Sequence, residues 1–174
     1  MIKGGIGGAK TKTGLKFESR IDLRTAFTQF KEYTAENGDL FYEDELVANL
    51  YKKNDFYSKF LHSLNIDHTK RISKKLLPDE TIFIIKNKTI FIIEMKFQEV
   101  AGSVDEKLQT CDFKKKQYEK LLSGTGFKVE YVYVLNDWFK HTSYKDVLEY
   151  IKSVHCHYFF ELLPFEFLGL PNPN

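Results

Sequence analysis

The chain has 174 residues, 26 Lys and Arg against 24 Asp and Glu (formal net charge +2), and 43% hydrophobic and 29% charged residues. That mix fits one folded domain with a sizeable core and excludes a chain too polar to bury one. No stretch reaches the roughly 18 apolar residues of a membrane span, no secretory leader is evident, and Cys111 and Cys156 make no disulfide framework, so a cytoplasmic protein with no membrane partner is the expectation.

Residues 1–16 lack apolar periodicity and read as a flexible, Gly/Lys-rich arm ahead of a single domain spanning 17–174. Within the arm, GGIGGAKT comes close to a phosphate-binding loop: Gly4, Lys10 and Thr11 match, but Ala9 stands where glycine is required. Such a loop follows a strand, and only Met1, Ile2 and Lys3 precede Gly4, so no ATP site is expected. The arm is read as basic backbone, with Lys10 and Lys12 available to phosphates.

Leu23, Ala26, Phe27, Phe30 and Tyr33 recur at helical spacing and predict a helix over 17–33, broken by Asn37-Gly38. A second helical segment is expected over 43–64, in two pieces split near KKND, with Asn54 or Asp55 capping the second. Two Ile/Phe-rich runs around KNK then predict a β-hairpin whose faces are both covered. A helix over 104–122 stops at SGTG, FKVEYVYVL reads as a strand, SYKDVLEYIKSV as a helix and HYFFELL as a last strand. The order predicts an α/β fold with one mixed sheet between helices.

The hairpin carries the chemistry. Glu94 and Lys96 interrupt an apolar strand two positions apart, so they share a face, and ionisable groups there are costly unless paired or used. A two-residue turn at Asn87-Lys88 would pair Thr81 with Glu94 and Asp79 with Lys96, bringing Asp79, Glu94 and Lys96 to one spot. Two readings are open. In one, Lys96 neutralises two carboxylates in a structural salt-bridge cluster. In the other, the carboxylates hold a hard, oxygen-preferring ion such as Mg²⁺, and Lys96 stabilises charge on a phosphoryl group or orients an attacking water.

The string Pro78-Asp79, fourteen residues, then Glu94-Met95-Lys96 on a hairpin flanked by helices resembles the PD-(D/E)xK nuclease superfamily, most of all its type II restriction endonucleases. The resemblance implies an αβββαβ restriction-endonuclease-like core, Mg²⁺-dependent hydrolysis of double-stranded DNA (Mn²⁺ substituting) and a homodimer. It implies metal ligation by Asp79, Glu94 and the Met95 carbonyl, with Lys96 assisting the attacking water. Many relatives carry a glutamate on the first core helix that reaches the metal site, the place of Glu18, which the sequence alone reads equally well as a solvated or N-terminal helix charge. Some place a catalytic glutamine and a tyrosine four residues apart on the helix after the lysine, here Gln109 and, in place of tyrosine, Phe113.

Around this centre, Lys114, Lys115 and Lys116 form a basic run that either meets phosphates or solvates a helix. Lys107 is a further candidate for phosphate contact, beside a turn in which Ser103 and acidic first-turn residues would cap a helix. His155-Cys156-His157 has zinc-binding atoms but alternating spacing, which argues against a closed site. Three functions follow in order: a sequence-specific restriction enzyme, a structure-specific repair or recombination nuclease, and a non-catalytic DNA-binding module on the same core.

Overall fold

The computed structural model describes residues 13–17, 21–100 and 104–174. Its centre is β6 (Thr89–Lys96), whose residues from Thr89 to Glu94 are all buried. A strand this apolar needs cover on both faces and partners on both edges. It pairs antiparallel with β5 (Glu80–Ile84) and parallel with β7 (Lys128–Leu135). β4 (Glu45–Tyr51), β3 (Asp39–Tyr42) and β2 (Tyr33–Glu36) extend the antiparallel side. β8 (His157–Phe160) extends the parallel side, giving a seven-stranded mixed sheet in the order β2-β3-β4-β5-β6-β7-β8.

Parallel neighbours need crossovers. The chain supplies α2 (Val104–Leu108) and α3 (Cys111–Leu121) between β6 and β7, and α4 (Lys145–Ser153) between β7 and β8. One face buries Ile90, Ile92, Tyr131 and Tyr133 against Tyr118 and Leu121 of α3 and against Phe56 and Phe60 of a π-helical segment, Phe56–Leu61. The other buries Ile82, Phe91, Ile93 and Val132 under α1 (Leu23–Phe27), a ribbon of β1 (Gly14–Lys16) with β9 (Leu162–Pro164), and α5 (Phe165–Leu168). The approach of β1 to β9 is close: a Cβ on Gly14 would lie 2.7 Å from the Leu163 carbonyl oxygen, so glycine is required there.

The expected α/β fold with a mixed sheet between helices is present, as are the hairpin, β7, α4 and β8. Three expected helices need correction. The helix expected over 17–33 is, where described, only Leu23–Phe27; beyond it Phe30 and Tyr33 close successive turns onto Phe27 and Phe30, which preserves a three-residue apolar spacing without a helix. The first piece of the segment expected to be helical over 43–64 is β4. A bulge lets Leu40 pair with Ala48 and Phe41 with Leu46, leaving Val47 as the extra residue. That insertion breaks the alternation of a strand and puts Leu46, Val47 and Leu50 on helical spacing. The helix expected over 104–122 is interrupted at Gln109-Thr110 into α2 and α3. The last residues assigned to the arm, Gly14–Lys16, are the strand β1.

At the end of the sheet away from Lys96, Glu130 of β7 receives Lys128 at 2.7 Å, His157 at 3.1 Å and Lys115 at 3.5 Å. Burial opposes its charge, but the His157 bond and the two lysines win and hold its carboxyl at about 2. A carboxyl depressed by folding contributes stability that is complete above its unfolded value near 4.5 and is lost as pH falls through about 2. Glu130→Gln is therefore expected to cost about 2 kcal/mol at pH 7. Urea denaturation should show the gap between variant and parent closing as the pH approaches the Glu130 value; a gap independent of pH would contradict the assignment.

Candidate active site

The hairpin turns through four residues, Ile85–Lys88, not two: Ile84 pairs with Thr89 and Glu80 with Ile93. Asn87 accepts a hydrogen bond from the Thr89 N–H at 3.0 Å, and Lys88 takes a left-handed backbone. The shift from the expected register is two residues, which leaves every side chain on its face. Continued outward, it sets Asp79 opposite Glu94, where the expectation had Lys96.

The three residues still meet. Lys96 Nζ lies 2.9 Å from Glu94 and 3.6 Å from Asp79. Asp79 accepts the Met95 N–H at 3.1 Å, a ladder position left open because β5 begins only at Glu80. In a strand the N–H and C=O of one residue emerge on the same edge, so the Met95 carbonyl also faces the Asp79 side. The approach to Asp79 is anchored at Leu76: its carbonyl accepts from the hydroxyls of Tyr57 and Tyr118, each at 2.9 Å. Lys53 donates its backbone N–H to the Pro78 carbonyl at 3.0 Å.

The carboxylates differ in setting. Asp79 is 43% exposed as a side chain and Glu94 only 8%. Burial works against the Glu94 charge, but Lys96 and Lys114 more than offset it, and its carboxyl sits below the usual value. Beside it the phenol of Tyr131 is pushed up by burial and then by the Glu94 charge, so it stays neutral.

Asp79, Met95 and Lys96 open into a cleft of about 600 Å³ that is also lined by Asp22, Lys52, Lys53, Glu80, Phe97 and Lys107. Lys52 is engaged, 2.7 Å from Asp22 and 3.5 Å from Glu80. Burial pushes the Glu80 carboxyl up to about 7 against the pull of Lys52. Lys53 and Lys107 have no acidic partner among the described residues, so the cleft offers two uncommitted ammonium groups beside the Asp79/Lys96 pair.

The other sequence candidates fall as follows. Lys10, Lys12 and Glu18 lie outside the described residues. Gln109 is exposed and lines a separate groove with Asp146, Val147 and Tyr150, and Phe113 is exposed too; the structure does not bring them to the cleft. The α3 side chain that reaches the Asp79/Glu94/Lys96 cluster is Lys114, on Glu94 at 2.7 and 2.9 Å. Lys115 donates to the His155 carbonyl at 2.7 Å and Lys116 to Asp112 at 2.7 Å. His157 belongs to the Glu130 network and Cys156 is buried. Sequence reasoning missed the contribution of Lys52, Lys53 and Glu80 to the cleft and the Lys114–Glu94 pair. A signal for the pair existed: Lys114 lies three residues after buried Cys111 and four before buried Tyr118, on the inward stripe of α3.

A hairpin thus presents an acid at the start of one strand and Glu-x-Lys at the end of the next. A family model for the PD-(D/E)XK nuclease superfamily domain matches residues 33–163. The chain belongs to that superfamily. Comparisons with curated proteins and with solved structures returned no match. The PD-(D/E)XK assignment makes this a nuclease domain, and superfamily members generally use divalent metal ions. No helix among the described residues is long and apolar enough to cross a membrane.

Proposed function

We propose that the protein is a Mg²⁺-dependent endonuclease that hydrolyses phosphodiester bonds of double-stranded DNA, a type II restriction enzyme working as a homodimer in the cytoplasm, without ATP. The observation that carries this reading is the meeting of Asp79, Glu94 and Lys96 beside a cleft that Asp79 and Lys96 line together with Lys53 and Lys107. The donor set suits a hard ion: two carboxylates on one face, with Lys96 Nζ already within reach of both, and a backbone carbonyl at Met95 on the same side. Asp79, Glu94 and Met95 would hold Mg²⁺, or Mn²⁺ in its place, and the ion would supply Lewis-acid polarisation of the phosphate and a more acidic bound water.

The protein's own groups do the rest. Lys53 and Lys107 draw the DNA backbone into the cleft, a contribution that weakens with salt. Lys96, 17% exposed and fixed between two carboxylates, presents its ammonium where negative charge develops on the phosphate or where the attacking water must be oriented. The Leu76 anchors and the Met95 N–H hold Asp79 in place before substrate arrives.

Digestion of a sequenced plasmid with Mg²⁺, followed by mapping of the ends, tests this. Cuts at one short sequence are expected, with Mn²⁺ substituting and no requirement for ATP. Cutting of branched DNA only would replace the restriction reading with a structure-specific nuclease. No cutting with either ion would leave a DNA-binding module.

A further inference from the structure

The three consecutive lysines of α3 divide their contacts: Lys116 stays on its own helix, Lys115 turns to the Glu130 end, and Lys114 turns into the site. Lys114, 24% exposed, donates to both oxygens of Glu94, at 2.7 Å to Oε1 and 2.9 Å to Oε2. Lys96 adds a contact of 2.9 Å to Oε2. Both oxygens of a buried carboxylate are therefore committed to ammonium groups. The cluster of Asp79, Glu94, Lys96 and Lys114 is charge-balanced, two against two.

A divalent ion held by Asp79 and Glu94 needs an oxygen that Lys114 now occupies, and it adds two positive charges to a balanced cluster. Repulsion between that ion and an ammonium on the same carboxylate exceeds what one hydrogen bond returns. One ammonium has to yield. Lys96 is held by Asp79 as well as Glu94 and projects from the strand that carries the site. Among the described residues Lys114 holds no acid but Glu94, from a facing helix, on a flexible four-carbon stem.

We propose that Lys114 is a displaceable counter-ion of the metal site: it keeps the Glu94 carboxylate in place in the metal-free protein and withdraws when the ion enters. The inference rests on reading Asp79 and Glu94 as metal ligands. Lys114 is then a positioning residue that sets metal affinity by competition, and its removal strengthens binding where loss of a ligand would weaken it.

The test is binding of Mn²⁺ alone to the full chain, followed by loss of the free-ion electron paramagnetic resonance signal, with circular dichroism and thermal melting to confirm folding. Lys114→Met is expected to bind Mn²⁺ about tenfold more tightly than the parent. Lys114→Gln, which keeps a hydrogen bond without the charge, should shift the same way, and Lys120→Met on the exposed side of α3 should not. Asp79→Asn should weaken the binding by about a hundredfold or more in every background. Equal or weaker Mn²⁺ binding in the folded Lys114 variants overturns the counter-ion role alone. Absence of Asp79-dependent binding in the parent overturns the metal-ligand reading, and the inference with it.

Discussion

Asp79→Asn and Lys96→Met are each expected to lower cleavage of duplex DNA by about a thousandfold or more, with the chain folding as before. Asparagine keeps an oxygen for the Met95 N–H, so the strand end stays closed, but it removes the charge that a divalent ion needs. Asp79 is also the more exposed of the two acids, so the change costs little stability. Methionine at position 96 keeps the packing of the stem and removes only the ammonium. Single-turnover cleavage with Mg²⁺ at saturating protein separates the roles: Asp79→Asn should respond to higher Mg²⁺ or Mn²⁺, and Lys96→Met should not. Near-parental rates in either variant would remove that residue from the chemistry.

Glu94→Ala is expected to lose cleavage to the same extent and also to lose stability, by about 2–3 kcal/mol, because it strips the shared acid from two half-buried ammonium groups. Lys96 retains Asp79; Lys114 retains no acid among the described residues. The charge left behind, not the missing bond, dominates the cost. Adding Lys114→Met to Glu94→Ala should therefore return about 1 kcal/mol, a coupling that a double-mutant cycle in urea measures directly. A Glu94→Ala protein as stable as Asp79→Asn would mean that the two lysines find solvent without cost.

The site was legible in the sequence because its residues violate their surroundings. A glutamate and a lysine two apart in a run of Ile and Phe demand an explanation, and period-two geometry places them together whatever the turn length. That is why an error of two residues in the hairpin register left the convergence of Asp79, Glu94 and Lys96 intact. The region of β2, β3 and β4 was not legible. The bulge at Val47 scrambles the alternation by which a strand announces itself, and the turns after Phe27 imitate a helix. Lys114 was visible only as part of a basic run; which of three lysines turns inward depends on how α3 lies against β6 and β7, a tertiary fact that composition does not carry.

The ribbon of β1 and β9 has a consequence for how the domain is made. Leu15 and Phe17 are fully buried, and among the described residues β1 pairs only with residues 162–164. That pairing closes a loop of roughly 150 residues, among the slowest kinds of contact for a chain to find. During synthesis the hairpin bearing Asp79 and Lys96 is translated well before β9 emerges, so the part of its core face that the ribbon covers waits for a late closing clasp. A domain built this way ties its N-terminal strand down last, long after the hairpin that carries the candidate site has been translated.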